Sequence, residues 1–242
     1  METVENKQEL EEQGLQEQFE ITKEEEDFLK GAIYYSFLLA VLSDQIYKYS
    51  IVLKDELIKN GLYKHNVKKY MNILRKDADR VSMETGLKSV LAKNQLAIVT
   101  ELADEGIEPL IEDYRLEVES ILGEEKVKEG NIKAASVGSV VNLLCDIQFQ
   151  IVDMFNEFIF KHRMSNLFDF NWMKRNKSFK ASTEICDLIT KDCEIHLSSI
   201  EDVVTKARDF LDKLINSDFI SDIFEKTDIE IEKLIEKGFI KE

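Results

Sequence analysis

Three groups of residues in this 242-residue chain have types and spacings that could do chemistry. The first is Cys186, Cys193 and His196. On a helix, positions 186 and 193 lie two turns apart on one face, with 196 one turn further on, so two thiolates and an imidazole could share a zinc ion. A structural zinc site takes four ligands, usually in short paired spacings, and no C-x₂-C pair accompanies these three. They read as buried thiols beside a partly exposed imidazole, with no metal.

The second group is Asp146, Asp153 and Glu157, which recur with Asn142 and Gln150 at spacings of three or four. Such a line of carboxylates could serve a di-iron centre or general acid–base chemistry. A di-iron bundle adds Glu-x-x-His motifs. The residues three before His65, His162 and His196 are Leu62, Ile159 and Cys193 instead. The line therefore reads as one solvated or salt-bridged helix edge. No Gly-x-Ser-x-Gly, Walker-type or Gly-x-Gly-x-x-Gly loop occurs. No catalytic, cofactor-binding or metal-binding residue is expected, and the chain reads as non-enzymatic.

The third group lies in 164–180, a stretch without a clean period. Phe168, Phe170, Trp172 and Phe179 alternate there with Lys174, Arg175, Lys177 and Lys180. Rings beside cations can stack on single-stranded nucleic acid. They can also anchor an acidic protein surface, since Trp, Phe and Arg are enriched at interface centres, or fold into the chain's own core. A net charge of −16 disfavours nucleic acid, so these eight residues are the candidate surface for a protein partner.

The elements that must position these groups read as helices. One proline and nine glycines are too few for the turns of a β-rich fold. The centre of the chain is Ile132–Phe160, where 18 of 29 residues are apolar. Val137, Val141, Leu144, Ile151, Phe155 and Phe158 recur at helical spacing, and Val140, Leu143, Ile147, Val152, Ile159 and Phe160 widen the stripe. A helix apolar over most of its circumference is normally covered by neighbours. Ala134, Ala135, Ser136, Gly138 and Ser139 would let one of them approach closely.

Upstream, Thr22 and Glu25 form a capping box. Phe28, Ala32, Tyr35, Leu39, Leu42, Ile46, Tyr49, Leu53 and Leu57 then trace a near-heptad seam. A bend is possible at Ser43-Asp44, and Gly61 followed by Leu62 fits a Schellman cap. A basic helix is predicted over about 65–85; from Lys59 to Arg80 there are 7 basic and 2 acidic residues. Helices follow over 87–104, ended by Gly106, and over 109–122, started by Pro109. After the connector, Ser182 or Thr183 is expected to cap a helix running to about 216. The fold class is thus all-α, an elongated bundle of long helices (24–60, 132–163, 183–216) with shorter ones between. A resemblance between 55–64 and 232–241 reads as shared helix-end chemistry.

Residues 1–21 read as an acidic extension and 22–242 as one helical domain. Through Asp27 there are 11 acidic and 2 basic residues. No stretch has the roughly 18–20 uninterrupted apolar residues of a membrane span. Three cysteines make no disulfide framework, so a reducing cytoplasm, or a virion assembled in a host cytoplasm, is the expected setting. The leading expectation is a structural protein that oligomerises or docks to protein partners through helical faces, such as a phage virion or head-to-tail ring component. An acidic protein that sequesters a basic or nucleic-acid-binding partner comes second, and a helical-bundle enzyme, with or without a metal, third.

Overall fold

The computed structural model describes residues 22–84, 93–122, 129–163 and 177–193, with a few single helical positions between 209 and 236. The described part is 94% helical, in five helices without a strand. These are α1 (Lys23–Lys59), α2 (His65–Glu84), α3 (Lys93–Leu122), α4 (Glu129–Lys161) and α5 (Lys177–Cys193). The fold is all-α. The chain divides into two compact units, Tyr34–Ser217 and a smaller one of Met1–Ile33 with Asp218–Glu242.

In the smaller unit, the start of α1 is fixed by the capping box. The Glu25 carboxylate accepts from the Thr22 N–H at 2.8 Å, and the Thr22 hydroxyl accepts from the Glu25 N–H at 3.2 Å. Both orphan donors are satisfied reciprocally. That bond holds the Glu25 carboxyl below its ordinary value.

In the larger unit, α1 and α4 run antiparallel along most of their length. Asn60 abuts Gly130, Leu53 lies by Gly138, Ser43 bonds Gln148 at 2.8 Å, and Tyr35 stacks on Phe155 with centroids 5.2 Å apart. The expected seams lie inside the fold: Leu39, Leu42, Ile46, Leu53 and Leu57 are buried, as are Val137, Val141, Leu144, Ile151 and Phe155. Close approach at the small residues is realised at Gly138. A Cβ there would meet Ile189 Cδ1 at 3.3 Å and Cys186 Sγ at 3.5 Å. The Schellman cap also forms: Leu62 N–H donates to Leu57 C=O at 2.8 Å, Gly61 N–H to Ile58 C=O at 3.1 Å, and Gly61 has φ +70°. α3 packs on α4, and α2 and α4 both pack on α5.

Three expectations need correction. α3 is one helix through Gly106 and Pro109, not two helices divided there. Ile107, Leu110, Tyr114 and Val118 share its buried face, and that packing outweighs the missing N–H of Pro109. α5 begins at Lys177, inside the expected connector, so neither Ser182 nor Thr183 is a cap. Their hydroxyls lie within hydrogen-bond distance of Phe179 C=O, at 2.8 and 3.0 Å, inside the helix. Phe160 lies off the α4 seam and is 79% exposed. α1 runs unbroken through Ser43, whose hydroxyl donates to Leu39 C=O at 2.7 Å.

α4 is also, over Gly130–Lys161, long and apolar enough to cross a membrane, though most of its apolar stretch is buried inside the fold. Charged and amide residues interrupt its apolar run, which is why counting uninterrupted apolar residues passes it over.

Candidate functional site

Of the eight candidate partner-binding residues, three fall within the described structure. Lys177 and Lys180 are exposed on the first turn of α5, and Phe179 between them is half-buried. Phe168, Phe170, Trp172, Lys174 and Arg175 lie outside the described residues, as does His196. The turn that carries Lys177 is tied to α2, since the buried Ser178 hydroxyl donates to the Asp77 carboxylate at 3.4 Å. Burial raises the Asp77 carboxyl above its ordinary value, opposed by that hydrogen bond and by the charges of Lys177 and Arg80.

Next to it, α4 and α5 share a polar seam. The Asn142 side-chain oxygen lies 2.8 Å from Ser182 Oγ and 3.2 Å from Thr183 Oγ1, so each hydroxyl has this oxygen and Phe179 C=O as alternative acceptors for its one proton. Asn142 therefore belongs to a helix contact and not to a solvated edge. Further along the same line, Gln150 donates to Asp146 at 3.1 Å, and Gln150 and Glu157 are exposed. Cys145 and Cys186 are buried beside this seam, and burial pushes both thiols up to about 12. At neutral pH they are protonated, which makes them poor nucleophiles and poor metal ligands. Among the described residues no three His, Cys, Asp or Glu side chains converge as a metal centre would need.

A second polar group was not anticipated. Tyr49, on the buried seam of α1, donates to Glu108 at 3.1 Å and lies 3.5 Å from Asp104 on α3, while Lys48 pairs with Asp104. Burial and the two carboxylates raise the phenol well above its ordinary value, so it stays protonated and links α1 to α3. The sequence held one signal for it: a Tyr on an apolar seam must find a partner for its hydroxyl. Tyr47 ties α1 to α2 in a similar way. Arg75 donates to its hydroxyl at 3.1 Å and its guanidinium carbon lies 5.3 Å from the ring centre.

The exposed faces have a different character. On α1, Ile51 and Ile58 are 40% and 51% exposed and lie two turns apart on one side. Phe160 at the end of α4 and Met83 at the end of α2 are each 79% exposed. On α2 the outward face carries Lys68, Lys69, Lys76 and Arg80. Its opposite face, Val67, Met71, Leu74, Ala78 and Val81, is buried.

Comparison of the chain with known protein families, with curated proteins and with solved structures gives no match.

Proposed function

We propose that this chain is a non-enzymatic assembly protein that docks to protein partners, including further copies of itself, through its outward helical faces. The observation that carries the reading is the pair Ile51 and Ile58, which keep large apolar side chains in water on one side of a helix whose other side is fully packed. The exposed Phe160 adds a second apolar anchor of the kind enriched in interfaces. The polar groups support the same reading: Asn142 with Ser182, Gln148 with Ser43, and Tyr49 with Glu108 each spend their hydrogen bonds on joining helices.

Within this class, the finer reading is a ring or adaptor component of a virion. A chain built from long helices, with an acidic stretch at 1–27 and a basic one at 59–80, suits head-to-tail contacts between identical copies. The net charge of −16 favours, as the second reading, an acidic protein that captures a basic partner. Light scattering on the size-fractionated full chain tests the proposal. Association that weakens in Ile58→Glu supports it, and a monomer at high micromolar concentration counts against it.

A further inference from the structure

The outward face of α2 is a basic stripe on an acidic protein. Lys68, Lys69, Lys76 and Arg80 all fall within about a third of the helix circumference, with Asn72 between them and Asp79 as the one acid. Lys64 precedes the helix on the same side, and from Lys68 to Arg80 the stripe runs about 18 Å. Among the described residues, Lys64, Lys68, Lys69 and Lys76 pair with no carboxylate. Lys69 lies 6.0 Å from the ring centre of its neighbour Tyr70, and Arg80 acts on Asp77. A chain with 48 acidic and 32 basic residues has carboxylates to spare, yet among the described residues these four lysines have no ion pair. At the far end of the face stands Met83, 79% exposed.

We propose that this stripe is the docking surface for the acidic N-terminal segment, 1–27, of a second copy. The inference rests on the self-association proposed above and names its contact. The segment carries a net charge of −9, against +5 over 59–80. Leu10, Leu15 and Phe19 are interspersed among its acids, which suits a basic face that ends in an exposed Met83. The pairing is heterologous: one copy supplies the segment and the next supplies the helix. Repetition closes a ring or extends a filament. Nucleic acid is the poorer occupant, because the remaining charge of the chain repels a polyanion that extends beyond the stripe.

The test is a charge exchange in the full-length chain, read by sedimentation velocity at low and high salt. One variant carries Lys68→Glu, Lys69→Glu and Lys76→Glu. The other carries Glu11→Lys, Glu12→Lys, Glu17→Lys and Glu20→Lys. All three lysines are exposed, so circular dichroism and melting temperature are expected to match the parent chain. The expected result is that each variant alone associates at least roughly tenfold more weakly than the parent, that an equimolar mixture recovers association, and that raising salt to about 0.5 M weakens the parent by a similar factor. A Lys→Arg triple variant keeps association. An oligomer that ignores the lysine reversal overturns this contact and leaves the proposed function standing. A monomer under all conditions overturns both. Loss of single-stranded oligonucleotide binding in the lysine variant, with self-association unchanged, overturns the contact in favour of nucleic acid.

Discussion

Asp77 is the side chain whose position costs the fold something that pH can reveal. Burial raises its carboxyl above the ordinary 3.8, so the folded state holds that proton more tightly than the unfolded chain does. The resulting stabilisation is complete below 3.8 and is lost as pH rises through the raised value. Asp77→Asn keeps the shape and removes the loss. At pH 7 it is expected to leave stability unchanged or raise it by roughly 0.5 kcal/mol, solvent screening included, and to flatten the decline in stability above pH 4. Urea titrations across pH measure both. Gln148 is the opposite case: it is buried on α4 and donates to Ser43 at 2.8 Å. Gln148→Ala loses the bond and leaves a cavity, at an expected cost of about 2–3 kcal/mol by denaturant unfolding. The sequence shows that these residues are polar, but not that they are paired. Ser43 and Gln148 stand 105 positions apart, and only the docking of α1 on α4 joins them.

At the scale of the element, legibility follows how local the cause is. The capping box at Thr22 and the Schellman turn at Gly61 were readable because each is decided within six residues. The apolar seams of α1 and α4 were readable because burial enforces a helical period. Gly106 and Pro109 misled because local propensity there yields to the buried face of α3. The start of α5 was hidden because Lys177 to Lys180 carry no apolar period of their own, and Ser178 holds the turn through α2. The eight-residue candidate site was legible only in part, since five of its members lie outside the described residues.

Helix ends give a paired expectation at the same scale. Gly61 at φ +70° is suited to its place, and Gly61→Ala is expected to cost about 1 kcal/mol. Arg163 sits at φ 57° after α4 without that freedom, so Arg163→Gly is expected to gain about 0.5 kcal/mol. Thermal melts of the two variants should move in opposite directions. At the crossing of α1, α4 and α5, Gly138→Leu is expected to lower stability by about 2 kcal/mol, because Ile189 already stands 3.3 Å from where a Cβ would be.

On the scale of the whole molecule, the helices bury most of their apolar seams, and what they leave in water includes the pair Ile51 and Ile58, an exposed Phe160, and a basic stripe set against an acidic N-terminal run. These leftovers are the material of contacts with other molecules. Their chemistry was visible in the sequence as hydrophobic and charged residues. Which of them remain in water was not, because exposure depends on how all the helices pack. The central claim is that the chain assembles through these faces. Multi-angle light scattering over a concentration series, on the parent chain and on a variant with Ile51→Ser, Ile58→Ser and Phe160→Ser, tests it most directly. The expected result is a parent mass that rises to a multiple of 28.1 kDa and a variant that stays folded but shifts toward the monomer. A parent mass of one chain at every concentration would contradict it.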